Sequence, residues 1–424
     1  MKRSSLAVLV IIALGACASM VRDARADSGL TAAQLVDAAI EANPQVRAAR
    51  ARWQSAIHQI KQNYAPSDPI FSYFNTDSST NGFSNAALHT ITVNQSLQFP
   101  GKAILQADTA KRTAAIAGLT YDATVRDIRA QVESGFYQEL LDSALERVAA
   151  ETLVNLNHVL KVTQVAYSAN QVTQTDFISA ELDLSSEQLE QQRLRVAVAN
   201  DMTNLNQLLN RSPDAPLMLD HTLKLPRIVP RLDDLIDRAY LIRQEILETA
   251  LAEHNSKTAL TLAKMEYLPD YTLGYVYDNY LIPSFAPRPT ALQDNGWNIG
   301  FNVPVFFWLK QREDVTRANY DLQAAHDDLA SIRSQTAAGV TSLYRSAQYA
   351  YQTSATYQET LIPLAKQNFQ VALIAYTSGK IDFVTLATAL RNSYAARINY
   401  LQAANQYLAG RVALEQAIGG PLTK

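Results

Sequence analysis

The chain has 424 residues, enough for two or three domains at about 150 residues each. Lys and Arg number 37 against 40 Asp and Glu, and the resulting net charge of −3 excludes a nucleic-acid-binding protein, which needs a basic excess. The single cysteine excludes an internal disulfide and a Cys-based zinc site, and His58, His89, His158, His221, His254 and His326 are never within four residues of each other. No cofactor and no metal ligand set is therefore expected.

Lys2 and Arg3 followed by the apolar run Leu6–Leu14 read as a secretory signal over residues 1–16, since nine apolar residues cannot span a bilayer. The run closes on Leu14-Gly15-Ala16-Cys17, which resembles a bacterial lipobox and makes Cys17 the expected lipidated first residue. Cleavage after Ala18 or Ala26 without lipidation stays open. A linker over 17–30 would follow, and no other segment reads as a transmembrane helix.

The remainder is one unit written twice. Ala166-Tyr167-Ser168-Ala169-Asn170-Gln171-Val172 returns as Ala375-Tyr376-Thr377-Ser378-Gly379-Lys380-Ile381, an offset of 209. Leu97, Phe99 and Lys102 meet Val305, Phe307 and Lys310 at 208, Pro66 meets Pro269 at 203, and Leu35-Val36-Asp37 meets Leu235-Ile236-Asp237 at 200. The units span 31–210 and 231–418, joined by the Pro-rich segment 211–230 and followed by a tail over 419–424.

Each unit reads as helix–strand–strand–long helix–long helix. The opening helices cover 31–63 and 231–266, and Pro66 and Pro269 end them. Period-two alternation then marks strands near 69–76, 89–99, 271–277 and 297–307, with loops over 77–87 and 283–295. Ile91, Val93, Ile299, Phe301 and Val303 fall on one face, and Thr92, Asn94, Asn298 and Asn302 on the other. Strands of about ten residues with aromatic ends (Tyr73, Phe99, Tyr277, Tyr280, Trp297, Phe307, Trp308) suit a membrane barrel, the first set toward lipid and the second toward the lumen. A soluble sheet packed on the helices gives the same alternation.

The long helices are expected over 101–150, 157–209, 309–361 and 366–418, each a rod of about 75 Å. In the last, Phe369, Leu373, Tyr376, Phe383, Ala387, Leu390, Tyr394, Leu401 and Leu408 recur at coiled-coil spacing. Pro363 reads as a helix breaker, placing hairpin tips at 150–156 and 361–365. The apolar Leu153, Val154, Leu156 and Ile362, with Pro363, then become the expected surface for a partner protein, with a staple that closes the hairpin itself as the alternative. Glu133 with Glu139, or Asp327 with Asp328, could serve as paired carboxylates of an exported enzyme, but long polar helices more often carry such residues as solvated faces. Asp176 and Asp382 read as capping residues in preference to lumen charges.

These features together resemble the TolC-like outer-membrane efflux protein family over essentially the whole mature chain. The carriers are Leu35 to Pro44, Leu268-Pro269, Trp297 to Pro304, Ala375-Tyr376-x-x-Gly379 and the repeat itself; the Phe99-Pro100-Gly101-Lys102 turn resembles the branch that exports heavy-metal cations. The resemblance implies a fold that is mainly α with a membrane β-barrel contribution. It implies a homotrimer, with a twelve-stranded barrel in outer-membrane lipid continued by a twelve-helix periplasmic tunnel. It also implies a periplasmic adaptor protein and an inner-membrane efflux pump as partners, and a passive exit duct in place of an enzyme. Asn170 departs from the family pattern where Gly379 keeps it, and no tip carries paired aspartates, so gating residues do not carry over. The competing reading is a periplasmic coiled-coil adaptor or scaffold without a barrel.

Overall fold

The computed structural model describes residues 29–76, 88–228, 230–282 and 290–422. Cys17, Ala18, Ala26 and the expected signal and loop 77–87 lie outside the described residues, as do 283–289.

Both opening helices are broken. Helix α1 (Ala32–Ala42) meets α2 (Pro44–Tyr64) at Asn43, held extended at ψ 127°. Pro44 disfavours helical backbone in the residue before it, and the Asn43 side chain accepts the Gln45 N–H to start α2. Helix α5 (Leu232–Ile242) meets α6 (Gln244–Met265) at Arg243, ψ 122°, without any proline. There the Arg243 side chain donates to Thr336 Oγ1 at 3.0 Å and to Glu245 Oε2 at 3.1 Å, so tertiary bonds hold the bend.

The strands form one antiparallel sheet in the order β1 (Ile70–Thr76), β2 (Leu88–Leu97), β3 (Asp270–Ile282), β4 (Thr290–Asn302). Strand β4 begins inside the expected loop and stops at Asn302 rather than reaching 307, because Pro304 has no N–H for the ladder and 305–310 turn instead.

Helix α3 (Lys102–Ser168) is continuous for 67 residues, about 100 Å. Helix α4 (Gln174–Leu208) runs back along it for 35 residues, and α2 continues the line of α4, with Asn43 Nδ2 donating to the Leu208 carbonyl at 3.0 Å. The second half repeats the plan: α7 (Gln311–Thr356), a π turn (Tyr357–Leu361) and α8 (Ile362–Thr377) make one rod, α9 (Phe383–Ile418) returns, and Gln244 Nε2 at the start of α6 donates to the Gly419 carbonyl. The π turn accounts for the last step of the drift in the repeat, from 208 to 209. Above it the buried pairs Ile128/Thr336 and Val132/Val340 stand at 208, whereas below it Thr163/Ala372 and Ala166/Ala375 stand at 209. A single π turn absorbs that one extra residue.

The expected tips at 150–156 and 361–365 are therefore corrected. Leu153, Val154 and Leu156 lie inside α3, and Ile362 and Pro363 open α8 directly after the π turn. The widened turn, with Ile362 N–H bonding the Tyr357 carbonyl five residues back, lets Pro363 follow without ending the rod. Leu156 is buried among Val159, Tyr376 and Leu386, while Val154 is 70% exposed on a helix flank.

Short α1 and α5 each pack onto the rods as a belt of core. Leu35, Val36 and Ala39 pack on Ile128, Val132, Phe136 and Leu205; Leu235 and Ala239 pack on Val340, Leu414 and Ile418. No described helix is long and apolar enough to cross a membrane.

Candidate functional site

Directly paired residues of an antiparallel ladder share a face. The registers therefore sort every strand residue. One face carries the rows Phe71–Val93–Tyr275–Trp297 and Tyr73–Ile91–Tyr277–Asn295, and lower down Gln95–Leu273–Ile299 and Leu97–Tyr271–Phe301, with Gln95 and Asn295 the polar members. The next row outward, Asn75–His89–Asn279–Gln293, is wholly polar and ends the band. From Tyr271 to Tyr277 the apolar band runs about 20 Å along the strands. Phe71, Tyr73, Ile91, Ile299 and Phe301 are exposed on it, and Trp297 is 81% exposed, so no helix covers this face among the described residues. Val303 lies just past β4 and is exposed too.

The opposite face is mainly polar. It carries Ser72, Thr90, Thr92, Asn94 and Ser96 beside Thr272, Asp278, Asn298 and Asn302, with Ile70, Phe74 and Val276 as apolar exceptions. Thr90 Oγ1 donates to Asp278 Oδ1 at 2.6 Å. Asn94 and Asn298 flank Gly274, and their side-chain oxygens occupy the space a Cβ there would need. A side chain at 274 would displace both amides.

Below the sheet, Lys102 is 2% exposed and bridges two elements of the other half: Nζ lies 3.0 Å from Asp270 Oδ1 and 3.4 Å from Glu266 Oε1. The same Asp270 oxygen accepts the Phe99 N–H at 2.7 Å. A buried ammonium needs such partners, and here they fix the start of β3 against the start of α3. Phe306, Phe307 and Trp308 pack edge to face beside this junction, with Tyr267 against Phe307.

Midway along the helices, Arg126 forks onto Glu245, with Nη1 to Oε2 at 3.0 Å and Nη2 to Oε1 at 2.6 Å. Burial pushes the Glu245 carboxyl up, but hydrogen bonds from Arg126 and its own backbone, the Arg126 charge and Arg243 outweigh it and hold the group at about 2. The candidate carboxylates have separate surroundings. Glu139 is 1% exposed, accepts Ser143 Oγ at 2.6 Å and lies 3.2 Å from His221 Nε2. Glu133 is raised by burial and by Glu415, and Asp327 and Asp328 are exposed on α7.

Asp201 on α4 is pushed up to about 7, first by burial, then by its hydrogen bond to Asp142 and by the charges of Asp142 and Glu139. An acid raised in the folded state contributes stability below its unfolded value near 3.8, and that contribution is lost as pH rises to about 7. Asp201→Asn is therefore expected to raise the melting temperature at pH 8 and leave it unchanged at pH 4. Thermal melts at the two pH values check this; equal shifts at both would contradict it.

The helix ends sit at the repeated motif. In the first half Asn170 takes φ 55°, with Gln171 N–H to Ala166 O and Asn170 N–H to Tyr167 O; in the second Gly379 takes φ 68°, with Lys380 N–H to Ala375 O and Gly379 N–H to Tyr376 O. Both are Schellman stops, for which glycine or asparagine is suited. The next helices start at once: Thr173 and Asp176 form a capping box, and Asp382 accepts the Thr385 N–H at 2.8 Å, so both aspartates are occupied in capping. Between the turns lies a cleft of about 340 Å³ lined by Val165, Val172, Thr173, Tyr376, Ile381 and Phe383. The signal was present in the sequence, as a left-handed stop followed within three residues by a capping start. Gly379→Val is expected to cost about 1–2 kcal/mol, and Asn170→Gly close to nothing, because the Cβ of an L side chain resists positive φ, a β-branched one most, while asparagine and glycine tolerate it. Denaturant midpoints of the two variants check the contrast.

A family model described as outer membrane efflux protein matches residues 35–211 and 235–420. The chain is 20% identical over 331 residues to the cobalt-zinc-cadmium resistance protein CzcC of Cupriavidus metallidurans, covering 78% of this chain and 77% of that one. Among solved structures, the outer membrane protein VceC from Vibrio cholerae superposes with a TM-score of 0.78 at 16% identity, covering 92% of this chain and 96% of that one. CusC, whose structures describe transmembrane channel formation, gives 0.79 at 15% identity, covering 92% of each.

Proposed function

The chain belongs to the outer membrane efflux protein family, and from that premise we propose that it is the passive exit duct of a tripartite efflux system. The observation that supports this reading is the sheet: one face predominantly apolar and uncovered, the other mainly polar, and both edge strands, β1 and β4, without a second partner strand among the described residues. A sheet can lie in lipid only when its edges close, because no water in the bilayer satisfies open N–H and C=O groups. Three copies of four strands close as one barrel, with Ile91, Val93, Ile299, Phe301 and Val303 toward lipid and Thr92, Asn94, Asn298 and Asn302 toward the lumen. The rods α3 and α7–α8 carry that lumen into the periplasm. The turns at 169–173 and 378–382, at the ends of those rods, meet the periplasmic adaptor, and an inner-membrane pump supplies the energy. An adaptor or scaffold without a barrel leaves the apolar face without a role.

The cargo follows the relative named for cobalt, zinc and cadmium resistance and the Phe99-Pro100-Gly101-Lys102 turn, so heavy-metal cations are the proposed substrate class. Two assays of the native host test the proposal. On density fractionation the protein is expected with outer-membrane markers and to need detergent for release. Deletion is expected to increase sensitivity to cobalt, zinc or cadmium, and complementation to restore tolerance. Recovery in the soluble periplasmic fraction sinks the duct; intact metal tolerance with raised drug sensitivity replaces only the cargo.

A further inference from the structure

The two halves of the chain leave the sheet by different turns. Residues 98–101 join β2 to α3, and protein seals that junction: the Phe99 N–H donates to Asp270, and Lys102 is buried against Asp270 and Glu266. Residues 303–310 join β4 to α7, and none of their side chains is buried. Val305, Phe306, Phe307, Trp308 and Leu309 stand 48–67% exposed, five apolar residues in succession. The segment is closed as a helical turn, with the Leu309 and Lys310 N–H groups on the Phe306 carbonyl and the Arg312 N–H on the Phe307 carbonyl. Such a turn directs successive side chains all round its axis, so one face of the chain cannot cover them all. Phe306 and Phe307 stand edge to face with Trp308, and Phe307 reaches Tyr267, itself 40% exposed. An exposed apolar run of this length calls for a partner.

The sheet says which partner. Its apolar band runs about 20 Å along the strands, from the row of Tyr271 to that of Tyr277. With strands tilted by about 40° that is roughly 15 Å of height, against an apolar band of about 25 Å in membrane barrels. The missing height is not at the outer end, where the row Asn75–His89–Asn279–Gln293 is polar. It is at the end where β4 runs into the rod: Val303 follows Phe301 on the apolar side, and the turn follows Val303. Lys310 and Arg312 come next, exposed and without an ion pair among the described residues, with Glu313 as the exposed carboxylate beside them. Apolar and aromatic side chains followed by two free cations match a phospholipid, chains first and phosphate after.

We propose that the turn 303–310 is a phospholipid-binding element that enters the periplasmic leaflet of the outer membrane, with Trp308 at the boundary of chains and headgroups and Lys310 and Arg312 on headgroup phosphates. The inference rests on the lipid-facing sheet and adds a lipid contact outside the strands. The first half has no counterpart, because its shorter turn is spent on the Lys102–Asp270 junction.

Fluorescence quenching tests it, because the three tryptophans report three places. Trp297 lies on the exposed apolar face of the sheet, Trp308 in the turn, and Trp53 on α2, stacked on Tyr121 at 5.7 Å. Full-length variants that keep one tryptophan each, the others changed to Phe, are reconstituted in vesicles of phosphatidylcholine brominated near the headgroup or near the chain ends. Trp308 is expected to lose about half its emission to the shallow bromines and far less to the deep ones, and Trp53 to lose nothing to either. Trp297 is expected to be quenched as well and controls for insertion of the sheet. Trp308 quenched no more than Trp53, in vesicles where Trp297 is quenched, overturns the proposal, whether water or a neighbouring copy covers the turn. Trp297 and Trp308 both unquenched fails the lipid-facing sheet, and the duct with it. For the cations, the same shallow bromines carried on phosphatidylglycerol in mixed vesicles are expected to quench Trp308 more strongly than on phosphatidylcholine, and Lys310→Glu with Arg312→Glu to abolish the difference. Equal quenching from the two lipids before that change overturns the phosphate contact.

Discussion

Ile299→Arg is expected to cost roughly 2–4 kcal/mol in outer-membrane assembly, while Asn298→Arg, one residue away, costs far less. Ile299 sits mid-band on the apolar face, between the rows of Phe301 and Trp297, and is 63% exposed there. An arginine at that depth must stay in hydrocarbon or pull water and headgroups inward. Asn298 points to the polar face beside Gly274, where the added guanidinium meets Asn94 and water-filled space. Urea-dependent folding into lipid vesicles reads the difference directly. Equal losses at the two positions would falsify the assignment of faces.

Arg126→Met is expected to destabilise the helical part by about 2–3 kcal/mol. Its guanidinium is 10% exposed and ties α3 of the first half to α6 of the second through both oxygens of Glu245. Removing one partner leaves the other carboxylate half-buried without its fork, which costs more than a surface pair is worth. Glu245, held at about 2 with an ordinary value of 4.5, contributes stability that is present above pH 4.5 and lost as pH falls through about 2. The Arg126→Met penalty should therefore shrink between pH 5 and pH 2. Denaturant melts across that range check it, and a penalty that stays constant to pH 2 assigns the effect to lost packing by the arginine stem.

The strand faces were legible in the sequence because a period of two survives any choice of register: Ile91/Thr92 and Ile299/Asn298 sort themselves. The full length of β4 was not, since Thr290 to Gly296 is polar and Gly-containing and becomes strand only because β3 offers it a ladder. The bend at Asn43 had a visible cause in Pro44. Arg243 has none nearby in sequence, for its bend depends on Thr336, 93 residues away. The tips were misplaced because Pro363 reads locally as a breaker, while the π turn that accommodates it is a property of the whole rod. Asn170 and Thr173-x-x-Asp176 carried the better signal, a stop and a start in adjacent residues. The Arg126–Glu245 clamp lay beyond any local pattern, its partners being 119 residues apart.

The most direct test of the duct is electrical. Purified full-length protein added to a planar lipid bilayer is predicted to produce discrete, reproducible conductance steps, because a closed barrel of polar interior offers ions one continuous water path. The Ile299→Arg variant is predicted to insert rarely, with unchanged step size when it does. Purified trimer that associates with the bilayer and never conducts contradicts the account.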